Sequence, residues 1–290
     1  MPKTLCLLHA NCQGQALRPL LENSPAFARL FHLRHYTNYT REVIERESLR
    51  HCGLFLYQRL GARWGEFSTE HLLSCLPSKC QCIEIPNFFF KGYWPTWTHG
   101  DKSIDFADSL LNALLERGLA LHEALRVYLR AGPALLGDAA AVAEESLGAA
   151  ESREAACPVR CTPLLRERWR EEQMFLTINH PGRSLLFHLA DGLLGLLGLG
   201  CLPEAAKRVY RHPDDDFWLP IHPLLKDMLG LPFVRSDRRY PVFAASLTHR
   251  EYTGCYLACR AQGVKDLVSF LRNLPRGFGT EVGRQIRTPY

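Results

Sequence analysis

The sequence predicts an α/β protein, a three-layer α/β/α arrangement with a small, mostly parallel, doubly wound sheet and a helical insertion. Two observations predict this class. In the first hundred residues short apolar runs alternate with helix-length segments, which is the pattern of consecutive βαβ units. From residue 101 to about 173 the pattern changes to helix alone, with leucines recurring three and four positions apart. The predicted organisation is therefore an α/β core from residues 1–100 and 175–290, with a helical insertion or subdomain at 101–174.

Four short segments, the first of them an apolar run, predict the strands of the sheet. They cover residues 5–8, 30–36, 53–57 and 81–85. Between them lie three predicted helices, the first marked by Leu17, Leu20 and Leu21 on one face, the others at 41–50 and 69–75. Pro19 is expected to bend the first helix or to shorten its first turn. Four strands with three helical crossovers make a small doubly wound sheet.

The remaining elements are predicted to be helices. Leucine stripes mark segments at 110–115 and 121–129, alanine content marks 139–151, and apolar periodicity marks 184–199, 247–260 and 264–271. Glu144, Glu145 and Glu151 give the alanine-rich helix a charged face that is expected to contact solvent.

Composition excludes several classes of protein. The 290 residues are 47% hydrophobic and 22% charged, which is ordinary for a globular chain and excludes collagen-like, coiled-coil and low-complexity proteins. A net charge of +5 is too small for a dedicated nucleic-acid binder, although it allows attraction for an anionic small molecule. The longest uncharged apolar stretch, 192–203, is shorter than the roughly 20 residues of a membrane span. We expect no transmembrane segment and no nucleic-acid partner.

Eleven cysteines are an unusual number for a chain with no recognisable secretory signal. We therefore expect free thiols in a reducing cytoplasm. Their spacing does not match the Cys-x-x-Cys pairs of structural zinc sites. Cys80 and Cys82 have one residue between them. Cys157/Cys161 and Cys255/Cys259 are four residues apart, and each of these two pairs is expected to pack on one helix face. No metal is predicted.

The strongest local feature is the segment 9–15, which contains Asn11, Cys12, Gln13 and Gly14 and lies between the first strand and the first helix. Ligands of open α/β sheets bind at this carboxyl edge. A helix N-terminus stabilises a thiolate, and the backbone N–H groups of Gln13 and Gly14 are expected to serve an oxyanion or a phosphate. The alternative is that Cys12 is one more small buried apolar residue. We favour the functional interpretation because of the position.

A second polar cluster, Asn179-His180-Pro181, precedes an apolar helix. His180 is a candidate general base because imidazole titrates near neutral pH, and Asn179 offers an orienting amide. Pro181 is expected at the first helical position. The alternative is a helix cap with a surface histidine, and the residues alone leave both interpretations open.

A third candidate is the aromatic loop 86–95, which follows the fourth strand and contains Asn87, Lys91 and Tyr93. These residues are candidates to line a pocket for a phosphorylated, ring-bearing ligand. The alternative is a hydrophobic loop packed beneath the helical insertion, which we favour for its three phenylalanines. Gln58 ends the third strand at the same edge and is better placed for a ligand than for the core.

In order along the chain, Asn11-Cys12-Gln13, the Pro86-Asn87 loop, Asn179-His180-Pro181 and the later motif 218–223 together resemble the WcbI-like polysaccharide biosynthesis family. The likeness spans most of the chain. Members of that family are associated with bacterial capsule assembly, bind coenzyme A and are regarded as acetyltransferases that modify a capsular sugar. For this chain the resemblance implies coenzyme A or acetyl-CoA as the co-substrate and a sugar or polysaccharide as the acceptor.

The first motif also looks like a variant of the nucleophile block of SGNH-type hydrolases, in which Asp-Ser follows the first strand. Here the matching pair is Asn11-Cys12. Those hydrolases take their base from a late Asp-x-x-His, and that pattern does not occur in this sequence. Either His180 supplies the base from another segment, or Cys12 is not a hydrolase-like nucleophile.

The resulting hypothesis is acyl transfer from acetyl-CoA near Cys12, with His180 activating either the thiol or the sugar hydroxyl. Of the two, the sequence favours direct transfer to the hydroxyl, because an acyl-cysteine needs protection from water. The predicted oxyanion donors are the Gln13 N–H and the side chains of Asn11 and Asn87. Candidate phosphate contacts are Lys91, Arg183 and the arginines of the tail at 276–290. The competing hypotheses are a thiol esterase or deacetylase of polysaccharide and a coenzyme A-binding assembly protein without turnover.

Overall fold

The computed structural model describes residues 2–99, 106–130 and 132–274. Its central sheet has four parallel strands, β1 (Thr4–Ala10), β2 (Phe31–Thr37), β3 (Cys52–Tyr57) and β4 (Gln81–Glu84). All four predicted strands are confirmed, and so is the α/β class. The strand order is β2-β1-β3-β4. The chain therefore reverses its direction of travel across the sheet between β1 and β3, and such a switch point opens a crevice at the carboxyl ends of the strands.

Helices follow or separate these strands. The elements of the N-terminal part are α1 (Cys12–Glu22), α2 (Pro25–Leu30), α3 (Arg46–Arg50), a 3₁₀ helix (Ala62–Phe67) and α4 (Thr69–Ser74). The middle of the chain holds α5 (Ser109–Glu116), α6 (Leu121–Arg130), α7 (Pro133–Leu136), α8 (Ala139–Arg153), α9 (Thr162–Arg168), β5 (Phe175–Thr177), β6 (His180–Pro181) and α10 (Arg183–Leu196). The remaining elements are α11 (Glu204–Val209), α12 (Leu225–Leu229), β7 (Arg239–Val242), β8 (Ala245–Thr248), α13 (His249–Ala261) and α14 (Leu267–Arg272).

The chain divides into two compact units. The first contains Met1–Phe89, Leu147–Trp169 and Asn179–Pro213, and the second contains Phe90–Ser146, Arg170–Ile178 and Asp214–Tyr290. Residues of the predicted insertion 101–174 fall in both units, and its contribution to the first is Leu147–Trp169, which holds the second half of α8 and all of α9. The predicted tail arginines at 276–290 lie outside the described residues.

The core of the first unit forms around β1, because residues 6–8 of that strand have no exposed surface. Helix α1 buries Leu17, Leu20 and Leu21 as its pattern predicts, and it packs against β2 and α10. The helix runs through Pro19 to Glu22, and its first turn is not shortened. The sheet and α1 together provide a rigid base for the turn that joins them.

Two local predictions are wrong. Pro181 lies in β6, two residues before α10 begins, so it does not occupy the first helical position. Cys157 and Cys161 do not share a helix face, because Cys161 is the residue before α9 and Cys157 precedes it in a loop.

All eleven cysteines are described, and each is a free thiol. Within the described ranges no group of three or more metal-binding side chains could hold an ion. None of the helices described here combines the length and the apolar character that crossing a bilayer demands.

Candidate active site

The turn between β1 and α1 is built by Asn11, which caps the helix. Its side-chain Oδ1 accepts a hydrogen bond from the backbone N–H of Gln13 at 2.9 Å, as an N-cap asparagine does. Cys12 is therefore the first residue of α1, at the carboxyl edge of the sheet. Gly14 lies two residues later, at a position where a Cβ would overlap the His35 imidazole unless that ring moved.

The buried amide of Gln13 ties three distant segments together. Its Nε2 donates to the carbonyls of Phe88 (2.8 Å) and Asn179 (2.7 Å). Its Oε1 accepts from Gln58 Nε2 (2.7 Å) and from the backbone N–H of Phe88 (3.0 Å). All four hydrogen-bonding positions of the amide are satisfied, so this side chain fixes the geometry of the segments around Cys12.

Gln58 extends the same network. Its Oε1 accepts from the backbone N–H of Asn11 at 2.9 Å, and its Nε2 donates to the Pro86 carbonyl at 3.0 Å in addition to Gln13. Gln58 is 1% exposed. Its amide is used inside the protein, so it orients the Asn11 turn and offers no group to a ligand in this arrangement.

Cys12 and His180 meet although 168 residues separate them. Cys12 Sγ lies 3.3 Å from His180 Nε2, and both side chains are partly exposed. The Asn179 carbonyl held by Gln13 places His180 at the start of β6. A thiol in contact with an imidazole and open to solvent is the arrangement of an activated cysteine nucleophile.

Two asparagines lie beside this pair. Asn11 Nδ2 donates to Asn87 Oδ1 at 3.3 Å, and Asn87 is exposed. The backbone N–H groups that were predicted to serve an oxyanion are engaged inside the first turn: Gln13 N–H with Asn11 Oδ1 and Gly14 N–H with the Asn11 carbonyl at 2.9 Å. Among the described residues nothing accepts from the Asn87 side-chain amide, which makes it the better oxyanion donor.

An open cleft of about 610 Å³ surrounds the pair. Its volume lies within the range of small-molecule sites. Its lining contains two arginines and no acidic residue, and the lining residues are Asn11, Cys12, Asn38, Tyr39, Arg59, Leu60, Gly61, Arg63, Trp64, Asn87, Asn179 and His180. The cleft therefore attracts anions.

Sequence reasoning missed seven of these residues, of which Leu60 and Gly61 offer no polar or aromatic side chain. Asn38 and Arg59 come directly after β2 and just after β3, so their place at the carboxyl edge is a signal that would have found them. Tyr39 follows Asn38 in the same loop, whereas Arg63 and Trp64 lie on the 3₁₀ helix and carry no sequence signal of a site.

Arg59 is held by a buried carboxylate. Its Nε and Nη2 donate to Glu84 Oε1 and Oε2 at 3.0 and 2.5 Å, a bidentate pair in which Glu84 ends β4. The Arg59 side chain is 61% exposed and the Glu84 side chain 5%. The Glu84 carboxylate raises the pKa of Arg59, so the guanidinium stays charged.

Two histidines behind the turn are held neutral. Burial lowers the pKa of His9 to about 4, with a smaller contribution from His35. Burial also lowers the pKa of His35, whose ring contacts the Ala10 carbonyl. These imidazoles add no charge to the floor of the site at neutral pH.

Three other predicted ligand residues lie elsewhere. Lys91 and Tyr93 belong to the second unit. Tyr93 is completely buried, and its hydroxyl donates to the Glu172 carbonyl at 3.0 Å and accepts from the backbone N–H of Met174. Arg183 is exposed at the start of α10 and does not line the cleft.

Comparison with known proteins places the chain in a family. A family model described as polysaccharide biosynthesis enzyme WcbI matches residues 5–201. This chain belongs to the WcbI family. The matched range contains all of β1 except Thr4, the Asn11 turn, the cleft residues and His180, so the resemblance to the family is confirmed, while the motif 218–223 lies beyond the matched range. The likeness to SGNH hydrolases stays a prediction.

A solved WcbI structure has the same fold. It is described as a novel polysaccharide biosynthesis enzyme, in a native form without a disulfide bond between coenzyme A and one of its cysteines. It is 17% identical to this chain with a TM-score of 0.70, and the match covers 98% of this chain and 95% of that one. No curated protein matches the chain.

Proposed function

We propose that this WcbI family member transfers an acetyl group from acetyl-CoA to a sugar hydroxyl of a bacterial capsular polysaccharide or its precursor. One observation carries the proposal, the 3.3 Å contact between Cys12 Sγ and His180 Nε2 inside an open cleft. The description of the solved WcbI, a native form without a disulfide bond between coenzyme A and a cysteine, supports the choice of coenzyme A as the carrier of the acetyl group.

The cleft residues fit coenzyme A. Arg59 and Arg63 supply positive charge for the phosphates of coenzyme A. Trp64 and Tyr39 supply aromatic surface for its adenine ring. Cys12 supplies a thiol for exchange with its thioester. Acetyl-CoA brings an acyl group already activated for transfer.

The contact favours a covalent route. His180 Nε2 removes the proton from Cys12 Sγ, and the thiolate attacks the thioester carbonyl to form an acyl-cysteine while the coenzyme leaves as a thiolate that takes the proton back. The sugar hydroxyl then gives its proton to His180 and attacks the acyl-cysteine, which releases the acetylated sugar and restores the Cys12 thiol. Asn87, next to Asn11, stabilises the oxyanion in both steps.

Trapping the acyl-enzyme tests this route. The protein is incubated with acetyl-CoA without an acceptor, quenched in acid and digested, and the peptides are analysed by mass spectrometry. We expect acetylation of Cys12 in the native protein and none in Cys12→Ala, with strongly reduced acetylation in His180→Ala. The matched control is Cys75→Ala, because Cys75 Sγ also lies near a histidine, 3.8 Å from His71 Nε2, and is exposed outside the cleft.

The outcomes separate the candidate functions. Acetyl transfer to a sugar without any Cys12 adduct would support the acetyltransferase function and refute the route through an acyl-cysteine. Release of acetate without an acceptor would identify a thioesterase. Coenzyme A binding that is unchanged in Cys12→Ala and His180→Ala, with no turnover in any variant, would identify a binding protein and refute the proposal.

A further inference from the structure

The charge of the cleft is concentrated on two side chains. Arg59 and Arg63 line it, and no Asp or Glu is among the lining residues that the structure describes. The two arginines differ in how they are held. Arg63 is exposed and lies on the 3₁₀ helix, whereas Arg59 is anchored to the sheet through Glu84.

The anchor itself is rigid. Glu84 is the last residue of β4, and its Cα partner across the sheet is Tyr57 of β3, two residues before Arg59. The carboxylate is 5% exposed and grips the guanidinium with both oxygens. A planar fork held on two sides by a carboxylate loses most of its rotational freedom before any ligand arrives.

The pair leaves donors unused. A guanidinium has five N–H groups, and Glu84 takes one from Nε and one from Nη2. In the part of the chain that the structure describes, no residue accepts from the other three. They belong to a side chain that is 61% exposed on the cleft that also contains Cys12.

We infer that Arg59 is the fixed phosphate-binding group of the cleft and that Glu84 is the residue that positions it. The ligand class is an organic phosphate, and the inference rests on the proposed function in that coenzyme A carries the phosphates. Pre-ordering by Glu84 removes an entropic cost from binding, and the charged fork matches two phosphate oxygens.

A purely structural ion pair makes a different prediction. If Arg59 served only to neutralise Glu84, removing both charges together would leave ligand preference unchanged. The double variant Arg59→Gln/Glu84→Gln replaces the two charged side chains with neutral amides. Its matched control is Arg235→Gln/Asp237→Asn, because Arg235 and Asp237 form an equally bidentate pair at 2.9 and 2.6 Å that does not line the cleft.

The experiment compares coenzyme A with pantetheine, its phosphate-free portion, by calorimetry. We expect native protein to prefer coenzyme A, the double variant to bind it about 10- to 100-fold more weakly with pantetheine unchanged, and the control to keep the native preference. Glu84→Gln retains Arg59 but loosens it, and we expect a loss of about 3- to 10-fold in coenzyme A affinity. This single variant decides the matter if the double variant does not fold.

An unchanged preference in the folded double variant, or in Glu84→Gln if that is the folded one, would overturn the inference. Failure of native protein to bind coenzyme A would instead refute the proposed function. In that case inorganic pyrophosphate tests the anion site of Arg59 independently of coenzyme A. A rise in melting temperature with pyrophosphate that is lost in the variants supports the inference, and no rise in native protein overturns it.

Discussion

Replacing Gln13 tests whether the buried amide network holds the Cys12 site together. Gln13→Ala removes four hydrogen bonds of 2.7–3.0 Å and leaves two carbonyls, one backbone N–H and the Gln58 amide without those bonds. At a net contribution of about 1 kcal/mol for each bond, the free energy of unfolding of the first unit should fall by about 3–4 kcal/mol. Because the Asn179 carbonyl is released, His180 should also lose its fixed distance to Cys12.

Urea denaturation with hydrogen exchange read at β1 and α1 measures the stability change, and the rate of Cys12 alkylation by iodoacetamide measures the change at the site. Gln15→Ala is the matched control, because Gln15 is exposed on the same helix. A loss below about 1 kcal/mol, or a loss equal to that of the control, would refute the argument that this amide is a structural centre.

A second substitution at the same position separates hydrogen bonding from size. Gln13→Glu keeps the shape but turns a carboxylate oxygen toward the carbonyls of Phe88 and Asn179. The introduced carboxyl is therefore protonated to a higher pH in the folded chain than in the unfolded one. The variant should regain stability as the pH falls, because its protonated form donates one of the two lost bonds. A pH-independent loss would show that electrostatics is not the cause.

Further predictions concern packing, reactivity and pH. Gly14→Ala should lower the free energy of unfolding by about 1–3 kcal/mol, because its Cβ overlaps the His35 ring, and urea denaturation would contradict this if the variant matched native protein. His180→Ala should slow iodoacetamide alkylation of Cys12 by at least about 10-fold at neutral pH, since the thiol loses its base; an unchanged rate would disprove the pairing. Burial lowers the pKa of His222 to about 4, below its unfolded value of about 6.5, so the unfolded chain binds the proton first and stability falls by about 3 kcal/mol as the pH falls through this window. His222→Gln should reduce the acid loss of stability by this share in titrations followed by circular dichroism, while the lowered pKa of His9 maintains the rest, and an unchanged pH dependence would contradict the assignment.

Local signals in the sequence predicted much of the fold. Short segments of strand length placed all four strands within a few residues of their observed bounds. The two inner strands, β1 and β3, are apolar on both faces because both faces are buried, whereas the edge strands β2 and β4 are partly exposed. The segment around Cys12 was expected to join the first strand to the first helix, and α1 begins at Cys12 because the Asn11 side chain caps its first turn. The failures at Pro181 and Cys157 arose where a short strand and a loop replaced helix, and no periodicity distinguishes these over so few residues.

The chemistry of the site was predicted only in part. Cys12 and His180 were both identified as candidates by their position at element ends. Their contact at 3.3 Å was not, because 168 residues of chain separate them. The backbone N–H of Gln13 was expected to serve an oxyanion, yet it donates to the capping Asn11 side chain. Gln58 was expected to bind a ligand, yet its buried amide joins the Asn11 turn to Gln13 and Pro86.

The sequence by itself determined the α/β class, the strand-turn-helix around Cys12 and, through its ordered motifs, the likeness to the WcbI family. Each of these depends on residues within one turn or one strand of each other, or on the order of short motifs. Only the tertiary structure decided which side chains meet. The order β2-β1-β3-β4 brings Asn11, Gln58 and the residues after β4 to one edge, and the charged fork of Arg59 and Glu84 exists because β3 and β4 are neighbours. Strand order is set by the global burial of apolar surface, which no local pattern encodes.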